Sequence, residues 1–216
     1  MRAGSTKLLL FVFEALGSLA CGFYGNYIFF LFRDRHGFGN LGNLGVAALM
    51  GGVIALASWQ GGRFAQRCGC YRAIHLGLWG MIVALTIGAC FNPLPAQLAV
   101  LVLWCMSQFI VWPALEAMVT EGVDGPARAR LVGIYSVVWA ACSALAYFFG
   151  GGIFERLGSG SIFWLPPAIH VVQILILRLH ARTGFRWSEV DSSPGLGEVV
   201  SGHPPDGTSF QRMAWL

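Results

Sequence analysis

Six apolar runs dominate the chain, at roughly residues 8–32, 41–60, 73–91, 97–120, 131–154 and 161–179. Each is long enough, or nearly so, to cross a hydrocarbon core, which a helix does in about 20 residues. Barrel strands would instead alternate apolar and polar residues over about ten positions, and these runs do not. Only helices and closed barrels satisfy the backbone inside lipid. The pattern therefore predicts an all-α membrane protein with six transmembrane helices. The first run is too long and too rich in Phe and Tyr for a signal-peptide core, and it reads as a retained helix.

Composition agrees with that reading. Of 216 residues 56% are hydrophobic and 11% charged, against about 25% charged in soluble domains; mean hydropathy is +0.65. The net charge of +4 would suit an anionic partner, but its distribution sets topology instead. With the N-terminus in the cytoplasm, the inside segments hold Arg2, Lys7, Arg63, Arg67, Arg72, Arg128, Arg130, Arg178, Arg182, Arg186 and Arg212. The outside segments hold only Arg33, Arg35 and Arg156. This positive-inside bias predicts an integral, multi-pass protein of the cell or inner membrane with both termini cytoplasmic. It also argues against a nucleic-acid role.

Residues 1–182 thus read as one six-helix bundle. Residues 183–209, rich in Gly, Pro, Ser and acids, read as a disordered cytoplasmic linker. FQRMAWL at 210–216 reads as the onset of a further, truncated helix. Cys21, Cys90, Cys105 and Cys142 fall in or at the ends of the runs, where Cys acts as a small hydrophobe. Cys68 and Cys70 lack the second ligand pair that a zinc site wants, so no metal and no cofactor is expected. Nothing matches a phosphate-binding G-x-x-x-x-G-K-[ST] loop, and Gly158-Ser159-Gly160 lacks a convincing catalytic partner for its serine. No enzyme is expected.

An internal echo organises the rest. Gly61-Gly62-Arg63-Phe64-Ala65-Gln66-Arg67-Cys68-Gly69 follows the second run. Gly150-Gly151-Gly152-Ile153-Phe154-Glu155-Arg156-Leu157-Gly158 follows the fifth, 89 positions later. Both fit G-G-x-x-x-[QE]-R-x-G, one predicted inside and one outside. Spans 1–3 and 4–6 then read as inverted three-plus-three repeats, an arrangement of secondary transporters.

Gly62-x-x-x-Gln66-Arg67-x-Gly69 with basic Arg72 resembles the loop signature between the second and third helices of the major facilitator superfamily, approximately G-x-x-x-D-R-x-G-[RK]-[RK]. The resemblance covers residues 7 to about 182 and implies the N-terminal six-helix half of such a transporter. It further implies alternating access for a small-molecule substrate, a gating loop at Gly62, Gln66, Arg67, Gly69 and Arg72, and a repeat loop at Gly151, Glu155, Arg156 and Gly158. A missing C-terminal half, or a second copy, would be needed for transport. The sequence departs from the family at Gln66, where the signature has Asp, and at Cys70 and Tyr71, where it has basic residues. The loss of that charge implies a weaker or differently built latch. Ala146-Tyr147-Phe148-Phe149-Gly150-Gly151 keeps only the trailing glycines of the antiporter G-P-x-x-G-G motif. The fourth run also lacks the family's buried Arg.

Candidate chemistry follows from charge in the apolar phase. Glu14 lies two turns into the first run, where an ionised side chain costs roughly 2.5–3.5 kcal/mol at a helix centre. It is expected to face a cavity and there to bind substrate or carry a coupling proton, since the resemblance lines the cavity with the first and fourth helices. Its alternative is a structural hydrogen bond. Gln108 and Trp112 lie one turn apart on the fourth run, with Glu116 beyond Pro113. Glu116 is read either as sharing that face or as pairing with Arg67 or Arg128. Tyr24 and Asn26 are candidates for substrate hydrogen bonds, or for gluing helices together. His170 reads as a packed, hydrogen-bonded histidine. The competing class is a non-transporting six-helix scaffold, an assembly protein, or a split-gene remnant.

Overall fold

The computed structural model describes residues 3–182. The expected linker at 183–209 and helix onset at 210–216 lie outside the described residues. Within them the chain is all-α, with no strand. Its helices are α1 (Ala3–His36), α2 (Asn40–Cys68), α3 (Cys70–Cys90), α4 (Leu94–Thr120), α5 (Gly125–Leu157) and α6 (Ser161–Arg182). All six are long and apolar enough to cross a membrane.

The helices outrun the apolar runs, and the loops shrink accordingly. The expected loop from Gly61 to Arg72 is not a loop. Helix α2 continues to Cys68 and α3 begins at Cys70, leaving Gly69 alone between them. Arg, Ala and Gln are good helix formers, so leaving the apolar phase does not end the helix. What ends it is a backbone of φ 86°, ψ 143° at Gly69, a region that costs a side chain little only when that side chain is absent. The second copy of the pattern behaves alike: α5 runs through Glu155 and Arg156 to Leu157, and Gly158 breaks it at φ 78°, ψ 169°. The segment Arg33–His36 is likewise the end of α1, and Arg128 and Arg130 lie in the first turns of α5.

Helices α1 and α4 occupy the middle. Helix α5 packs along α1 and α2 along α4, while α3 packs on α4 and α6 on α1; α3 and α6 also pack on each other. Helices α2 and α5 lie on separate edges and do not touch. Only 11% of the most apolar window of each is buried, against 39–50% for the other four. The core between the inner helices is built from Phe13, Ile28, Leu31, Leu78, Leu101 and Ile162, all fully buried.

Because lipid tails are as apolar as leucine, close packing has to drive such contacts, and glycines supply it. A Cβ at Gly61 of α2 would run into the Phe109 carbonyl oxygen of α4. One at Gly150 of α5 would run into the Tyr27 and Phe23 rings of α1. Tyr27 then donates its hydroxyl hydrogen to the Tyr147 carbonyl at 2.7 Å, fixing the same pair of helices. In both copies of the sequence pattern, then, the first glycine permits a close approach and the last one breaks the helix.

Candidate functional site

Helices α1 and α4 diverge around a cavity of about 370 Å³ to which all six helices contribute. Four of the six sequence candidates line it: Glu14 and Asn26 from α1, Gln108 and Trp112 from α4. Tyr24 does not. It is fully buried behind the wall, its ring 4.6 Å from that of Trp104. Glu116 does not line it either. It is exposed, and no ion pair joins it to Arg67 or Arg128. Three and a half turns of helix separate position 14 from Tyr27 on one element, so a sequence argument alone could not tell which polar residues of α1 share a face with the void.

Glu14 is 4% exposed. Its Oε1 accepts a hydrogen bond of 2.7 Å from Ser18, one turn along α1. The Trp112 indole and the Tyr135 hydroxyl face the carboxylate across the helix boundary. The Tyr135 hydroxyl reaches no hydrogen-bond partner of ordinary geometry. Among the described residues no Lys or Arg lines the cavity and no ion pair reaches Glu14. A buried carboxylate is normally paired when ionised, and this carboxyl group is met only by neutral donors.

Two further wall residues come from α6. His170, fully buried, places Nδ1 2.8 Å from Oε1 of Gln173, as a hydrogen-bonded histidine should. Gln173 in turn donates through Nε2 to the Phe13 carbonyl at 2.8 Å, tying α6 to α1 beside Glu14. The chain of bonds sets the tautomer. The Phe13 carbonyl accepts only, so the Gln173 amide must present its oxygen to His170, and Nδ1 carries the hydrogen. In a neutral ring Nε2 is left as an acceptor, and it is buried without a partner. Trp104 Nε1, also on the wall, is similarly unpartnered. Such orphans are rare in native interiors and call for an explanation such as a bound ligand or water. No sequence signal marked Gln173; its bond to residue 13 spans 160 positions.

The remaining aromatics form one continuous surface. Phe109 meets Trp112 edge-on at 5.5 Å, and Trp112 meets Trp139 of α5 at 5.3 Å. All three line the cavity. Trp139 stays 39% exposed.

The residues read as a gating loop lie elsewhere. Gln66 and Arg67 are exposed in the last turn of α2, which also contains Gly62; Arg72 is exposed in the first turn of α3. Glu155 and Arg156 are exposed at the end of α5, and Gly151 sits half-buried against α1, with the Tyr27 hydroxyl 3.4 Å from where its Cβ would be. Among the described residues no three His, Cys, Asp or Glu side chains gather as a metal site would require. The sequence matches neither a family model nor a curated protein. Its class rests on the helices themselves, six of them long and apolar enough to cross a bilayer, as in an integral multi-pass membrane protein.

Proposed function

We propose that this bundle is one half of a secondary active transporter of the major facilitator type, and that the α1–α4 cavity is its share of the substrate site. The observation that carries the reading is the packing pattern. Exchanging α1–α3 with α4–α6 maps every packed helix pair onto a packed pair, and every non-contacting pair onto a non-contacting pair. The matched glycines support it: Gly61 and Gly150 each seat a peripheral helix on a central one, and Gly69 and Gly158 break their helices with the same backbone twist. Inverted three-helix repeats with a site at their interface are the architecture of such transporters.

In this reading the α2–α3 break faces the cytoplasm, held there by Arg63, Arg67 and Arg72, and the α5–α6 break faces outside. A second six-helix bundle covers the side on which Trp139 is open. Rocking of the two bundles then exposes Glu14, Gln108 and Trp112 to each face in turn. The exposed Gln66 and Arg67 contribute to a latch with the second bundle that lacks the family's acidic charge. This bundle alone carries no transport.

The test is solute flux. Reconstituted with its second bundle, the protein should show saturable uptake of a solute from a broad panel, and residues 1–216 as a monomer should show none. Saturable, solute-specific uptake by the monomer alone would overturn the reading. So would a cysteine at position 67 and one at position 156 labelling from the same side of the membrane.

A further inference from the structure

The cavity carries a more specific message than its position. Among the described residues its wall holds one carboxylate, Glu14, and no Lys or Arg. A buried carboxylate that meets only hydroxyl and indole donors is left with its charge uncompensated, at a cost that a positive charge in the void would relieve. Beside it stands the joined surface of Phe109, Trp112 and Trp139, with centroid spacings of 5.5 and 5.3 Å. Aromatic faces attract cations through the ring quadrupole, tryptophan most strongly, and clustered aromatic rings are how quaternary ammonium groups are held.

We propose that the cavity binds a small organic cation, a quaternary or protonated amine with a short apolar body, with Glu14 as counter-ion and the Phe109–Trp112–Trp139 surface as its cation–π wall. The class of ligand rests on the reading of this cavity as a substrate site. An anion would be repelled by the ionised carboxylate, which no Lys or Arg of the wall offsets among the described residues. A neutral solute would leave that charge as it stands. The unpartnered acceptor of His170, also on the wall, suits a hydroxyl or N–H carried by the cation's tail. The volume, about 370 Å³, admits a trimethylammonium head with a short chain.

The chain of residues 1–216, purified in detergent, can be titrated calorimetrically with tetramethylammonium, choline and benzyltrimethylammonium. The neutral control is 3,3-dimethylbutan-1-ol, which has the shape of choline without its charge; benzoate is the anionic control. Choline should bind at least about tenfold more tightly than its neutral isostere, as expected when a desolvated cation meets an aromatic wall. Glu14→Gln should erase that preference while leaving the protein monodisperse. Trp139→Ala, at a partly exposed position that tolerates truncation, should weaken the cations several-fold and the isostere hardly at all. Equal affinity for choline and its isostere would overturn the proposal, and would also be the result if the carboxylate served a proton alone. Unchanged cation binding in Glu14→Gln, or no saturable binding of any of the three cations, would overturn it equally. Failure here is separable from failure of the transporter reading. Cation binding without flux in the assembled protein sinks only transport. Flux of a neutral or anionic solute that survives Glu14→Gln sinks only the cation.

Discussion

The two three-helix halves line one cavity from positions 89 apart, yet with different chemistry. Met50 and Ile54 of α2 stand where α5 has Trp139 and Ser143, and Met81 of α3 stands where α6 has His170. The correspondence runs down to a hydrogen bond. Ser18 of α1 and Ser107 of α4, again 89 apart, each bond one turn back along the helix. Ser107 reaches the Leu103 carbonyl at 2.7 Å, whereas Ser18 reaches the Glu14 carboxylate at 2.7 Å. Where α1 carries the acid, α4 carries Leu103, which is 41% exposed and off the cavity wall. Under the proposed repeat, the shared positions build the scaffold and the diverged ones build the site. At these diverged positions the first half supplies Met50, Ile54, Met81 and the Glu14 carboxyl, and the second supplies Trp139, Ser143 and His170.

That division can be broken most forcefully at the shared glycines. Gly61→Val and Gly150→Val should each lower the thermal midpoint in detergent sharply, since overpacking costs about 1–3 kcal/mol or more. Alanine sharpens the comparison. At Gly61 the obstructing atom is a backbone carbonyl of α4, which cannot swing aside, whereas at Gly150 it is the Tyr27 ring. Gly61→Ala should therefore be the worse of the two, and the reverse order would argue against equivalent roles.

The diverged positions should behave oppositely, affecting function with little effect on stability. Glu14→Gln should reduce flux of a cationic solute through the assembled transporter by about tenfold or more, in line with the loss of a desolvated cation's partner. Adding Leu103→Glu should not restore it, because that position points away from the void. Restoration would mean that the two halves contribute interchangeably.

Smaller effects come from the two helix breaks. Gly69→Ala and Gly158→Ala should each cost about 1 kcal/mol, the penalty for a side chain at positive φ. The two losses should match, as read from paired thermal midpoints. Smallest is Gln173→Leu, which removes the tie from α6 to the Phe13 carbonyl. Interhelical hydrogen bonds in membrane proteins average about 0.6 kcal/mol, so the midpoint should move only slightly. The spectroscopic signature of His170, its Nδ1–H resonance, should change in the same variant.

Much of the architecture could be read in the sequence because a membrane imposes one loud constraint. Twenty apolar residues without charge leave few alternatives to a spanning helix. The helix ends were misread for the same reason. Residues 61–68 leave the apolar phase without leaving the helix, and hydropathy marks the first event only. The site was partly legible. Glu14 stood out by the cost of its charge, and Gln108 and Trp112 by sharing a helix face. Tyr24 and Glu116 looked equivalent to them in the sequence, but helix rotation turns one into the core and the other to the surface. Gln173 and Trp139 were invisible, since a glutamine or tryptophan in an apolar run has meaning only through the helix it meets.

The central claim is alternating access to the α1–α4 cavity, and alkylation of a single cysteine tests it most directly. Ser143→Cys, on the cavity wall in a background without other cysteines, can be exposed to a membrane-impermeant thiol reagent in vesicles of either orientation carrying the protein with its second bundle. Labelling from both faces, slowed by the transported solute, is the result this account predicts. Labelling from one face only, or at a rate no solute changes, would contradict it.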